Sequence, residues 1–410
     1  MAAIVDGMNA PENRYLHAAV NNKKPLRITV VTETYPPDIN GVAHTLSKIV
    51  QALTSNGHTV CLVRPRHVLH DFPNNKDNFS EYLVQGFPIP FYKQLRMGLP
   101  ARKVLTRLWT EQKPDVVHIA TEGPLGWSAL KAAQSLNIPV STDFRTNFHT
   151  YSEHYGVGWL GGIIMGYLRR FHNAANSTMV PTSQLRRELV NEGFEKLHVV
   201  QRGVDTHVFS PMKRSNALRA AWGATKATTV AICVSRLAAE KNLNLVIRAF
   251  QALKIKQPDT KLVFVGDGPM LEQLKVDAPD AIFAGFRRGE DLAAHYASAD
   301  MFMFASLTET FGNVTIEAMA SGLPIVAFNH AAAGEIIESG VNGILANSND
   351  EAGFMEASIQ LGQDLDMRST CAQGAREKAL QFSWESIVKK TEDVLYGVCA
   401  SEQSIIESKR

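Results

Sequence analysis

Short runs of consecutive apolar residues recur along the chain, separated by segments of helical character. A first set covers Arg27 to Thr32, Thr59 to Arg64, Val116 to Ala120, Val140 to Asp143, Thr178 to Pro181 and Val199 to Gln201. A second covers Val230 to Ser235, Leu262 to Gly266, Ile282 to Gly285, Met301 to Ala305 and Ile325 to Ala327. Runs that are continuously apolar, not alternating, suit parallel strands covered on both faces, and helices such as Leu46 to Asn56 and Asn244 to Ile255 supply the covers. The pattern predicts an α/β chain of two Rossmann-like, doubly wound parallel-sheet domains. The break falls near Arg202-Gly203-Val204-Asp205, where the first set gives way to polar chain ending in Ser210-Pro211. The expected division is a disordered leader at 1–24, a first domain at 25–203, a second at 204–383 and a tail at 401–410. An amphipathic helix at 384–400, from Trp384 through Cys399, is placed to pack back on the first domain.

Composition narrows the class. The chain has 410 residues, 45% of them hydrophobic, enough for substantial cores. Forty-two basic against 40 acidic residues leave a formal charge of +2, so no global field draws nucleic acid, and none is expected as a partner. Cys61, Cys233, Cys371 and Cys399 lack paired spacing and read as reduced core residues, with no disulfide or metal framework. Residues 1–24 contain Asp6 and Glu12 but no apolar core of a secretory signal. No stretch approaches the roughly 20 apolar residues of a membrane span, the nearest being the short, glycine-rich Val157 to Leu168. The expectation is a soluble or peripheral cytoplasmic protein.

In open parallel sheets ligands bind beyond the carboxyl ends of the strands, so the candidate chemistry lies in the loops there. Glu309 and Glu317 flank Thr310-Phe311-Gly312-Asn313-Val314-Thr315-Ile316, after the run Met301 to Ala305 and before the helix stop Ser321-Gly322-Leu323-Pro324. With Asn313 as N-cap, a helix start would favour an anion while the two carboxylates accept hydrogen bonds from hydroxyls. Gly41, at the helix start after the first strand, allows close backbone approach to a phosphate or sugar. Arg236 and Lys241, five apart in a strand-to-helix loop, can neutralise a leaving diphosphate, although a surface pair would look the same. Gly266-Asp267-Gly268-Pro269 suits a nucleotide edge, and equally a plain turn. His118, alone in an apolar strand, fits a hydrogen-bonded core residue as readily as a ligand. No G-x-G-x-x-G fingerprint, G-x-S-x-G elbow or metal-ligand spacing occurs, and no metal or cofactor is expected.

Taken in order, Gly41, His118, Arg236 with Lys241, Gly266-Asp267-Gly268-Pro269 and Glu309 to Glu317 resemble the retaining glycosyltransferases of family 4, which have the GT-B fold. The resemblance covers roughly Arg27 to Leu395. Within that family, Thr32-Glu33-Thr34-Tyr35-Pro36-Pro37, Asn40-Gly41-Val42 and Thr142-Asp143-Phe144-Arg145-Thr146-Asn147-Phe148-His149 are most similar to the bacterial branch that uses GDP-mannose, whose members often act on glycolipid or phosphatidylinositol-type acceptors. The resemblance implies a cleft between the domains, with donor diphosphate on Arg236 and Lys241, ribose on Glu317 and the transferred sugar on Glu309. Phe311, Gly312, Asn313 and Val314 would support sugar and phosphate through their backbone, and His118 would contact the sugar near its 6-position. Gly41 would let the first domain close over the phosphates, Gly266 and Gly268 would edge the nucleotide, and Phe286 and Arg287 would lie by the base. Two departures stand out: many members have two glycines where Asn40-Gly41 stands, and many have glycine in place of Ser235.

The family's mechanism suits these residue types. Breaking the anomeric bond builds positive charge on the sugar and negative charge on the departing phosphate, so fixed cations matter more than a protein nucleophile. In the same-face substitution proposed for such enzymes the leaving phosphate takes the acceptor's proton, and configuration is retained. For the acceptor, the stretch from Phe91 to Trp109 sets Tyr92, Lys93, Arg96, Arg102, Lys103 and Arg107 among aromatic and aliphatic residues, a character that suits an anionic membrane surface or, equally, an amphipathic helix covering the sheet. Asp143 and His149 complete the expected acceptor side. A UDP-sugar donor (glucuronate, glucose or sulfoquinovose), a nicotinamide-dependent oxidoreductase and a non-enzymatic sugar-nucleotide sensor are the alternatives.

Overall fold

The computed structural model describes residues 23–38, 40–67, 70–89, 92–145, 158–306, 308–309 and 311–408. The first domain runs β1 (Arg27–Val31), α1 (Gly41–Ser55), β2 (Thr59–Pro65), β3 (Phe79–Val84), β4 (Gly86–Ile89), β5 (Tyr92–Gly98), α2 (Arg102–Gln112), β6 (Val116–Ile119), α3 (Pro124–Ser135), β7 (Val140–Asp143), α4 (Gly158–Asn173), β8 (Ser177–Val180), α5 (Ser183–Asn191) and β9 (Leu197–Val199). The second runs α6 (Asn216–Ala221), β10 (Thr229–Val234), α7 (Leu243–Lys256), β11 (Thr260–Val265), α8 (Leu271–Asp277), β12 (Ile282–Gly285), α9 (Gly289–Ser298) and β13 (Met301–Phe304). It continues through α10 (Asn313–Ala320), β14 (Ile325–Phe328), α11 (Ala331–Ile336), β15 (Gly343–Ala346), α12 (Glu351–Gln363) and α13 (Leu365–Leu380), before α14 (Trp384–Ser408).

Both sheets are parallel and both are buried on two faces, which is why their strands read as unbroken apolar runs. The first is seven-stranded, in the order β3-β2-β1-β6-β7-β8-β9, and the second six-stranded, in the order β12-β11-β10-β13-β14-β15. In β10 successive residues alternate between two cores: Val230, Ile232 and Val234 belong to one, Ala231 and Cys233 to the other. The strand order reverses between β1 and β6 in the first sheet and between β10 and β13 in the second. Crevices open beyond the carboxyl ends of the strands at such reversals, so these two places are where a ligand is expected.

Sequence patterning missed one edge strand of each sheet. β3 is half-buried along most of its length, and β15 opens on a glycine, so neither carries a continuous apolar run. The stretch from Phe91 to Trp109 is not one helix. It divides into β5, paired antiparallel with β4, and α2, whose Leu105 and Trp109 are buried.

The chain crosses between domains twice, side by side. Val204 N–H donates to the Phe382 carbonyl at 2.9 Å, and a Cβ placed on Gly203 would lie 2.6 Å from Trp384 Cε3, so no larger residue fits that crossing unless the indole moves. From there α14 returns over the first domain. Its Ile387, Val388, Leu395 and Val398 share a core with Leu46, Ile49 and Val50 of α1 and Val116 of β6. Glu392 accepts from Asn56 Nδ2 at 2.7 Å and lies 3.1 Å from His58 Nε2.

Candidate active site

The reversal in the second sheet is flanked by the loops after β10 and β13, which carry the candidate cations and carboxylates. Lys241 closes a short 3-10 turn, Ala239–Lys241, and its ammonium contacts Glu309 Oε1 from the loop after β13. Ser306 Oγ donates to the same oxygen at 3.0 Å. Lys241 and Glu309 are largely withdrawn from solvent, at 16% and 18% side-chain exposure, so their attraction is only partly screened. Arg236 stands apart. It is exposed and pairs with Glu240 one turn on. Beside Glu309, between the end of β13, α10 and α11, is a small recess lined by Ser306, Phe311, Thr315 and His330.

The helix after this loop starts differently from expectation. Gly312, not Asn313, is the N-cap, with φ of 90°, a left-handed conformation that favours glycine. Asn313 becomes the first helical residue, and its Nδ2 lies 3.7 Å from where a Cβ on Gly41 would sit. The starts of α1 and α10 therefore face each other across the domains, each with first-turn N–H groups that have no intrahelical partner. Asn40 explains how this chain manages without a glycine pair: its Oδ1 caps α1 by accepting from Ala43 N–H at 2.8 Å, while its Nδ2 donates to Thr34 Oγ1 at 2.7 Å. Phe311 and Val314 turn their side chains into the core, leaving only backbone to the cleft.

Glu317, on the second turn of α10, accepts from Tyr296 Oη at 3.2 Å. Part of it stays open, but desolvation pushes its carboxyl up to about 7, only partly opposed by the tyrosine hydrogen bond. Gly266 and Gly268 owe their identity to crowding. A Cβ on Gly266 would overlap the Ser235 carbonyl, one on Gly268 would overlap Leu237, and Gly266 has φ of 138°. They press the loops after β10 and β11 together, beneath Arg236. Phe286 is 56% exposed, with the Arg288 guanidinium 4.7 Å from its ring centre, while Arg287 holds the Ala284 carbonyl and Asp291.

The first-domain residues are placed less uniformly. His118 does not line an open cleft: it is 3% exposed, mid-strand in β6, and its Nδ1 lies 2.9 Å from Ser141 Oγ. Burial pulls its imidazole down to about 4, leaving it neutral at pH 7. Asp143 is also buried and pairs with Arg145 and, at 3.8 Å, Arg202. Burial would raise its carboxyl, but the two guanidinia outweigh that and hold it below the usual range. His149 lies outside the described residues, as do the side chains of Tyr92 and Lys93 on β5. Arg96 is half-buried opposite Pro88, whereas Arg102, Lys103 and Arg107 are exposed on α2.

Two site features went unremarked in the sequence. Glu33, just past β1, accepts from Leu125 N–H at 3.0 Å and so caps α3, where a Cβ on Gly123 would overlap its carboxylate. Desolvation pushes that carboxyl up to about 7. Glu335, in α11, accepts from Ser183 N–H at the start of α5, a second contact between the domains. Neither stands at a distinctive spacing.

Comparison with known proteins agrees with this geometry. Residues 39–208 match the model of Glycosyltransferase Family 4 and residues 228–364 that of Glycosyl transferases group 1. A GDP-mannose-dependent alpha-mannosyltransferase of Corynebacterium glutamicum is 31% identical over 367 residues, covering 89% of this chain and 87% of that protein. The sulfoquinovosyl transferase SQD2 of Arabidopsis thaliana is 29% identical over 385 residues, covering 91% and 74%. Among solved structures, sucrose-phosphate synthase from Thermosynechococcus elongatus superposes with a TM-score of 0.76 at 17% identity, covering 92% of this chain and all of that one, and shares the two-domain GT-B fold. With strand reversals facing across two domains and relatives matched along nearly its whole length, the chain belongs to glycosyltransferase family 4.

Proposed function

We propose that the protein transfers a hexose with retention of configuration, mannose from GDP-mannose, onto a lipid-linked or glycolipid acceptor, without a metal. The observation that carries this is the meeting of Lys241, Glu309 and the opposed helix starts at Gly41 and Asn313, in a chain 31% identical to a GDP-mannose-dependent alpha-mannosyltransferase. The donor diphosphate sits between the helix starts, where N–H groups and helix dipoles favour an anion. It draws Arg236 from Glu240 and Lys241 from Glu309. Glu309, released, accepts from hydroxyls of the transferred sugar, and Glu317 accepts from the ribose. Phe286, backed by Arg288, offers a flat exposed face to the base.

As the anomeric bond breaks, negative charge builds on the phosphate opposite Arg236 and Lys241, which the bound diphosphate has already drawn into place. The phosphate then takes the acceptor's proton on the face it leaves. His118, neutral and tied to Ser141, acts through the sheet, holding the floor beneath the sugar. A panel of GDP- and UDP-sugars, read by donor hydrolysis and by the anomeric configuration of the product with and without EDTA, tests the assignment. A product of inverted configuration, or turnover abolished by EDTA, overturns it. The 29% identity to SQD2 favours a UDP-sugar donor as the second reading, which the same panel decides.

For the acceptor side we propose peripheral association with the cytoplasmic face of an anionic membrane. Exposed Leu99 and Val104 flank exposed Arg102 and Lys103 where the hairpin runs into α2, and Phe87 of β4 is 53% exposed. Apolar groups among cations suit an anionic headgroup layer. No helix among the described residues is long and apolar enough to cross a membrane. Vesicles containing phosphatidylglycerol should co-sediment with the protein at low salt and release it at high salt. Failure to bind at low salt counts against the association.

A further inference from the structure

The Arg145, Arg202 and Asp143 cluster does more than cross-brace the first domain. Arg145 and Arg202 have side chains only 4% and 9% exposed, yet among the described residues a single carboxylate, Asp143, pairs with them. His118 adds no charge at pH 7, since burial pulls its imidazole down to about 4. Burial and Arg145 together draw the Arg202 guanidinium down to about 9, and Asp143 is the one acid acting against them. The cluster thus keeps one positive charge in excess. It also keeps idle donors: Nε and Nη1 of Arg145 have no hydrogen-bond partner among the described residues. A buried donor left unpaired is destabilising, more so when charged, and two on one guanidinium call for an acceptor.

The position suits a substrate. Arg145 lies two residues beyond the carboxyl end of β7, the edge of a parallel sheet where ligands bind. Arg202 precedes the Gly203 crossing, so the cluster lies next to the domain junction, at the first sheet and not at the one whose loops carry Lys241 and Arg236. A planar guanidinium with two free N–H directions matches two oxygens of one phosphate. We propose that Arg145, with Arg202 behind it, forms an oxyanion subsite that receives a phosphate group of the acceptor. This rests on the first domain being the acceptor side. The single excess charge favours a phosphate carrying one negative charge, as in a diester, over one carrying two.

Calorimetric titration of the full chain, with its donor site saturated by GDP and ionic strength held constant, tests the subsite. Dimethyl phosphate, glycerophosphoglycerol and inorganic phosphate are the probes. Saturable binding is expected, weakened about tenfold by Arg145→Lys, which keeps the charge but loses the fork, and abolished by Arg145→Gln. Asp143→Asn, which removes the competing carboxylate, should tighten it. Tighter binding of glycerophosphoglycerol identifies a lipid headgroup, whereas equal or tighter binding of inorganic phosphate identifies free phosphate as the source. No saturable binding of any probe by the unaltered protein, or affinity unchanged in Arg145→Lys, overturns the subsite. GDP binding is read in the same samples, so a failed donor assignment is seen separately.

Discussion

At the scale of single residues, charge and burial divide the labour. Lys241 is enclosed with Glu309 in a partly desolvated place, whereas Arg236 is exposed and paired with Glu240. Lys241→Ala should lower kcat on the order of a hundredfold or more, and Arg236→Ala by less, with thermal unfolding little changed. Near-normal turnover in Lys241→Ala would remove it from the mechanism. Glu317 has a pH signature. Its folded carboxyl, raised to about 7, protonates more readily than in the unfolded chain. The stability it contributes is therefore complete below about pH 4.5 and is lost as pH rises through about 7. Glu317→Gln should flatten that slope in chemical denaturation. Ribose hydroxyls donating to the carboxylate favour its charged form, so GDP binding should release protons and tighten between pH 5.5 and 7.5. Calorimetry in two buffers of different ionisation heat reads this, and proton uptake would exclude the ribose role.

At the scale of elements, close approach of loops governs the donor side. Gly266 has φ of 138° and no room for a Cβ beside the Ser235 carbonyl, so Gly266→Ala should cost at least about 2 kcal/mol in denaturant titration and weaken nucleotide binding with it. An unchanged midpoint would mean that the loops after β10 and β11 move apart easily. On the acceptor side, the segment from Phe91 to Trp109 becomes a strand and a helix because Gly98 and Pro100 interrupt it, and Gly98 presses on α3: a Cβ there would lie 2.7 Å from Leu125 Cβ. Its cations therefore project from two elements. Arg102→Glu with Lys103→Glu should abolish sedimentation with phosphatidylglycerol vesicles while GDP affinity stays the same.

At the scale of the molecule, contacts between the domains include Gly41 near Asn313 and Glu335 on the start of α5. The carboxylate of Glu335 occupies a helix N-terminus, where it is favoured by the dipole and the free N–H groups. Glu335→Ala should loosen closure, visible as a larger radius of gyration in small-angle X-ray scattering with GDP bound, and should raise the ratio of donor hydrolysis to transfer as water enters. A radius unchanged from that of the unaltered protein would show that Glu335 does not hold the domains together. α14 ties the pair by a different route, burying Ile387, Val388 and Leu395 under the first sheet and setting Trp384 against Gly203.

The strands at the centre of both sheets and their helical covers were legible in the sequence, because residues buried on both faces must be apolar without interruption. β3, β15 and the β4–β5 hairpin were not, since edge strands are part-exposed and carry mixed residues. Residue types at the strand ends, from Arg236 and Lys241 to Glu309 and Glu317, could be read from the sequence as candidates for the chemistry of the site. Only the tertiary structure decided which of them meet: Lys241 with Glu309, Gly41 with Asn313, Asp143 with two arginines and not with an open cleft, His118 within the sheet. The reason is physical. Burial and periodicity act on neighbours along the chain and leave their mark in it, whereas an ion pair or a capped helix start depends on elements brought together from far apart, and any of several polar residues could have filled each place.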